Sequence, residues 1–175
     1  MSWGDKITVK KGDFAEDIVA SYLLQKGLIP YKPHFDGAHP FDFLCATTNK
    51  KNMVIADAKA KAPFNYQFKN AHRTGIDTTH YEQYGLLGKK YNMNVWLFFI
   101  DEELEYMYGN RLKDLDKQAI TKDVGGSKRL FRLYDMKVVS KLSDDQVEFL
   151  KANSTRRHPY INTKEKLRQL LKATA

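Results

Sequence analysis

The chain has 175 residues, with 29 Lys+Arg against 21 Asp+Glu, a formal net charge of +8, 42% hydrophobic residues and 13% aromatics. These proportions exclude a disordered or low-complexity chain, and no apolar run approaches the roughly 18 residues a membrane span needs. The single cysteine, Cys45, excludes an internal disulfide, and the segment 1–6 lacks the apolar stretch of a secretory signal. A cytoplasmic or otherwise intracellular protein with no membrane partner is therefore expected, and its basic balance makes nucleic acid the first partner to consider. The charge is uneven. Residues 151–175 hold seven basic residues and one acid, a net +6, while the first 150 hold 22 basic and 20 acidic residues, a net +2.

Phe14, Ala15, Ile18, Val19, Tyr22 and Leu23 recur at helical spacing, which predicts a helix over 13–26 stopped by Gly27. A short edge strand is expected over 28–35, interrupted by Pro30 and Pro33, followed by strands over 41–47 and 53–60 joined by the polar turn 49–52. Residues 63–77 read as a loop and 78–91 as a second helix, with Tyr81 and Tyr84 near one face. The continuous apolar run 95–100 reads as a strand buried on both faces. Further strands are expected over 105–108 and 130–139, with a mobile loop at 123–127 between them. Ser143 with Gln146 makes a capping box for a helix through about Lys151, and a last helix covers 163–172. The order αβββαβ implies an α/β fold with a central mixed sheet flanked by helices. The expected division is a core over 1–142 and a basic C-terminal helical extension over 143–175.

Along the strand that begins at Met53, alternation places Ile55, Asp57, Lys59 and Lys61 on one face. Taken alone, this fits a half-exposed strand with a solvated ion pair worth at most about 1 kcal/mol. Asp42 stands inside the apolar segment Phe41–Cys45, where desolvation disfavours a carboxylate. If the two strands pair, Asp42 and Asp57 lie side by side and repel by ~3 kcal/mol at about 5 Å and an effective dielectric of 20. A cation between them relieves that repulsion, and oxygen-only ligands favour Mg²⁺ or Mn²⁺ over Zn²⁺. Glu16 borders the buried face of the first helix and offers a third acid; its competing role is a capping box with Asp13.

Glu16 in an opening helix, Pro40-Phe41-Asp42, and Asp57-Ala58-Lys59 together resemble the PD-(D/E)XK nuclease superfamily, the restriction-endonuclease-like fold. The resemblance covers about residues 12–108, and within the superfamily it is similar to archaeal-type Holliday-junction resolvases. Here Phe41 separates the usual Pro-Asp pair, and Asp57 replaces the more frequent Glu. The resemblance implies a Mg²⁺-dependent DNA endonuclease, with Mn²⁺ as a substitute ion. Glu16, Asp42, Asp57 and the Ala58 carbonyl would hold metal, and Lys59 would orient water or stabilise the transition state. It also implies junction selectivity, a role in recombination and a symmetric dimer.

DNA contacts are expected from Lys61, from Lys69 and Arg73 in the loop after the catalytic strand, and from His80 and Tyr84, spaced i and i+4. A tyrosine at helical spacing equally suits core packing. In the tail, Arg156, Arg157, Lys164 and Arg168 suit phosphate contacts, although a charged helix packed through Leu167, Leu170 and Leu171 is the ordinary alternative. No phosphate-binding loop, cysteine-rich zinc site or serine-hydrolase elbow is present in the sequence. Two other classes stay open at this stage: an inactive DNA-binding module or subunit of a larger DNA-processing complex, and an interaction protein unrelated to nucleic acid.

Overall fold

In the computed structural model, which describes residues 6–34, 40–47, 53–61, 73–123, 125–155 and 169, helix α1 runs Ile7–Gln25. It starts about two turns before the residues whose spacing predicts it, so Asp13 and Glu16 lie inside the helix and form no N-terminal capping box. Gly27 ends it, with φ 73 and an N–H that donates to the Leu24 carbonyl at 2.9 Å.

Strands β1 (Leu28–Tyr31), β2 (Phe43–Thr47) and β3 (Met53–Lys59) form the expected antiparallel meander. Helix α2 (Thr78–Lys90) then delivers the chain to β5 (Asn94–Asp101), which lies parallel to β3. Strands β6 (Tyr106–Arg111) and β9 (Lys137–Lys141) extend the sheet to six strands, in the order β1-β2-β3-β5-β6-β9. The result is the mixed, helix-flanked α/β sheet that the element order implies.

Alternation in the strands creates two cores, one on each face. Ile55, Val95, Leu97 and Phe99 face a core shared with Tyr84 of α2. Ala56, Ala58, Phe98 and Ile100 face α1 and α4 (Asp144–Ala152), where Val19 and Leu150 are fully buried. Helix α4 begins with the expected capping box of Ser143 and Gln146.

A second sheet corrects the reading of the central region. Arg73–Asp77, expected as loop, is strand β4, paired with β8 (Ser127–Arg132), which pairs with β7 (Ile120–Asp123). The expected strand over 130–139 is therefore two: β8 ends at Arg132, a 3₁₀ turn covers Leu133–Asp135, and β9 joins the main sheet. The sequence pattern stays apolar across this break because both strands contribute to one core. Of the segment 123–127, read as a mobile loop, Asp123 and Ser127 are paired at the end of the β7–β8 ladder. The short helix α3 (Leu112–Leu115) has no sequence expectation behind it; one turn is too short for periodicity to register. The expected helix at 163–172 lies outside the described residues apart from Gln169, which is helical.

A buried ion pair ties the helical layer to the sheet end. Lys11 Nζ donates to both Glu102 carboxylate oxygens, at 2.8 and 2.9 Å, linking α1 to the β5–β6 turn. Within that turn Asp101 Oδ1 accepts from the N–H groups of Glu103 and Leu104. No helix among the described residues is long and apolar enough to cross a membrane.

Among the described residues, close approach of strands makes Gly109 of β6 the most restricted glycine. A Cβ there would sit 2.1 Å from the Leu97 carbonyl oxygen, which is backbone and cannot rotate away. Gly109→Ala should cost about 3 kcal/mol or more by overpacking, read as a fall in the urea midpoint; an unchanged midpoint would contradict this packing.

Candidate active site

The meander brings the two predicted acids together. Phe43 pairs with Ala56, so Asp42, one residue before β2, lies opposite Asp57 of β3. Asp42 Oδ2 accepts a hydrogen bond of 2.7 Å from the Ala58 N–H, which fixes the carboxylate at the strand end. Both acids are buried, Asp42 at 6% and Asp57 at 1% exposure. On the same face Lys59 Nζ lies 2.7 Å from Asp57 Oδ2. The alternation that predicts this face holds as far as Lys59.

Electrostatics follow from this crowding. Burial, and then the neighbouring charge of Asp57, push the Asp42 carboxyl up to about 8, against the opposing influence of Lys59 and the Ala58 N–H. Burial works against charge on Lys59, yet the Asp57 and Asp42 carboxylates outweigh it and hold the ammonium above the ordinary lysine value. Lys59 is thus a fixed cation beside two acids.

Tyr84 of α2 completes the centre. Its hydroxyl donates to Asp57 Oδ1 at 2.7 Å, and burial, with the Asp57 charge, holds the phenol above its ordinary range. The side chain is fully buried, so the core-packing reading of its spacing holds, and its hydroxyl meets Asp57 where a DNA contact is expected. His80 stacks on it with ring centroids 6.2 Å apart. The hydrogen bond spans 27 residues of sequence, and no local pattern announces it.

Glu16 occupies the periphery. Its carboxylate pairs with Lys32, just beyond β1, and its charge is a minor influence on Asp42 and Lys59. The sequence offers no hint of the Lys32 clamp. Among the described residues no three His, Cys, Asp or Glu side chains group as a metal-holding set. The oxygens assembled at the centre are the carboxylates of Asp42 and Asp57, both buried, with the Lys59 ammonium against Asp57 Oδ2. That set fits a hard divalent ion, because Mg²⁺ usually takes one or two carboxylates and fills its shell with water and phosphate.

The remaining predicted residues diverge. Arg73 is turned into the small sheet, where its guanidinium donates to the Gln118 and Leu130 carbonyls at 3.0 and 3.3 Å. Lys61 lies near Lys59, Asp57, Asp77 and Lys128. Lys69, Arg156, Arg157, Lys164 and Arg168 lie outside the described residues.

No protein-family model matches the chain, and no curated protein matches it. Solved structures similar to it include two nucleases. Hjc of Archaeoglobus fulgidus, a Holliday junction resolvase, has a TM-score of 0.48 and 10% identity, covering 69% of this chain and 88% of its own. A nuclease from a fusselovirus has a TM-score of 0.47 and 12% identity, covering 92% of this chain and 98% of its own.

Two tests address the geometry. Tyr84→Phe should cost about 1–3 kcal/mol in denaturant unfolding, because Asp57 Oδ1 loses its buried donor; a change below ~0.5 kcal/mol would sink the contact. The Asp42 carboxyl loses its proton near 3.8 in the unfolded chain and near 8 in the folded one. The folded state therefore binds the extra proton between these values, and stability falls as pH rises through that window. Asp42→Asn avoids this loss. Without divalent ions, its melting temperature relative to the parent chain should rise by roughly 7–15 °C between about pH 5 and pH 8, from a linkage of about 4 kcal/mol at ~2–4 °C per kcal/mol. A pH-independent difference would overturn the assignment.

Proposed function

We propose that the chain is a divalent-metal-dependent deoxyribonuclease that hydrolyses phosphodiester bonds. The observation that carries this reading is the burial of Asp42 against Asp57, with Lys59 bonded to the second acid. A purely structural site gains nothing from two adjacent acids, since burial and mutual repulsion both oppose their charge. A site that must hold a cation next to a phosphate needs such a pair.

In this reading Asp42 and Asp57 hold Mg²⁺, with Mn²⁺ as a substitute. The bound ion supplies charge neutralisation at the phosphate and lowers the pKa of water. Glu16 would join the set once free of Lys32, and the Ala58 carbonyl would offer a further oxygen at the same strand end. Lys59 keeps its proton and presents a preorganised positive charge where charge develops on the phosphoryl oxygens. Tyr84 orients Asp57 through Oδ1 and leaves the other oxygen toward Lys59.

A second reading, a DNA-binding module without catalysis, draws support from the Lys32–Glu16 pair, which keeps the third acid engaged. One experiment separates the two. Supercoiled plasmid, linear duplex and a four-way junction are incubated with Mg²⁺ or Mn²⁺, beside Asp57→Ala and Lys59→Ala. The parent chain should cleave, and each variant should lose about 10²–10³-fold in rate. Equal cleavage by both variants overturns the site, while binding without cleavage under either ion selects the second reading. The ratio of junction to duplex cleavage measures the expected selectivity, and light scattering measures the expected dimer.

A further inference from the structure

Past Lys59 the catalytic strand turns. The Lys61 N–H donates to the Lys59 carbonyl at 2.9 Å, a three-residue turn centred on Ala60. The alternation that would hold Lys61 in line with Lys59 therefore ends. Lys61 is left half-buried in the fields of Asp77 and Lys128, and among the described residues no carboxylate is paired with it. Burial lowers its affinity for the proton, so its charge is costly where it stands.

Lys128 reaches this point from β8 and bonds to Asp77 Oδ1. Asp77 is also the N-cap residue of α2, with the extended backbone (φ −61, ψ 142) suited to that position, yet its side chain makes no capping bond. The carboxylate is drawn to Lys128 instead, with His80 Nδ1 3.9 Å from its other oxygen. One acid thus has two available partners: a lysine on the small sheet, and the free N–H groups at the start of its own helix.

We propose that Lys61 and Lys128 form a phosphate subsite beside the reaction centre, held at rest by the Asp77 carboxylate and taken over by a backbone phosphate of bound DNA. The inference rests on the nuclease reading and extends it to a second point of substrate contact. A phosphate between the two ammonium groups neutralises both, whereas Asp77 is bonded to one. The displaced carboxylate is not stranded, because it can turn to cap the first N–H groups of α2. Asp77 is a positioning residue here, since it keeps Lys128 in place until DNA arrives.

The test is binding of a fluorescent duplex by the full chain without divalent ions, across a KCl series, with melting curves for every variant. Lys61→Gln and Lys128→Gln should each weaken binding about 3- to 10-fold, and the double variant should lower the log–log salt slope by about 0.9, the value for one phosphate. Asp77→Asn should bind several-fold tighter than the parent chain even though it loses an ion pair. A merely structural Asp77–Lys128 pair gives the opposite sign: lower melting temperature with equal or weaker binding. Because Lys61→Gln breaks no ion pair among the described residues, it reads the subsite even if Lys128→Gln is less stable. A parent chain that cleaves DNA, with Lys61→Gln unchanged in affinity and slope and Asp77→Asn no tighter, overturns the subsite alone. A parent chain that neither binds nor cleaves any DNA overturns the nuclease reading beneath it.

Discussion

The candidate site exists because Phe43 pairs with Ala56 in an antiparallel ladder. One step further along that register lie Asp42 and Asp57, and a slip of one residue would send Asp42 to the opposite face. The register is pinned from both sides of the sheet. Phe43, Cys45 and Ala56 pack toward α1, while Leu44 and Ile55 pack toward α2. The hydrogen bond from Ala58 N–H to Asp42 then locks the last step. Hydrophobic pattern therefore does the placing, and the polar groups at the strand end inherit a geometry they would not choose alone.

Around this fixed pair the helices act differently. Helix α2 contributes a committed partner, since Tyr84 is fully buried and its hydroxyl has Asp57 as acceptor. Helix α1 contributes Glu16, which is already engaged by Lys32. What α1 does secure is its own position, through the Lys11–Glu102 pair 91 residues apart in sequence. Breaking one side of such a buried pair costs about 3–5 kcal/mol, whereas replacing both sides with apolar groups is often neutral. The pair is better understood as fixing where α1 sits than as a net source of stability.

Much of this was legible from the residues. The Asp57-x-Lys59 spacing on a strand, the misplaced Asp42 in an apolar run, and the uninterrupted 95–100 segment all follow from period-two geometry and desolvation, and the sheet obeys both. The readings that failed depended on partners distant in sequence. Arg73–Asp77 looks like loop because its neighbours are polar; it is a strand because β8 supplies the ladder. The break between β8 and β9 escapes notice because Phe131, Leu133 and Met136 all enter one core while the backbone changes sheets. Lys61 is the local exception: alternation places it on the face of Lys59, but a turn at Ala60 ends the strand before it. Lys32 and Tyr84 have ordinary local contexts, and only the fold shows which acids they meet.

The charge balance now has a different meaning from the one a net value suggests. Of the +8, +6 belongs to residues 151–175. In the described core many basic side chains face an acid: Lys128 meets Asp77, Arg129 meets Asp116, Arg132 meets Asp135, and Arg111 meets Asp114. Pairs of this kind cancel at distances beyond about a Debye length, so this part of the surface exerts little long-range pull on DNA. In the proposed reading, attraction at a distance would fall to the unevenly basic residues 151–175. In the proposed subsite, selection would depend on exchange of one anion for another at short range. A near-neutral surface with exchangeable counter-ions limits non-specific capture, and it lets the phosphate that displaces a carboxylate be chosen by position instead of by charge alone.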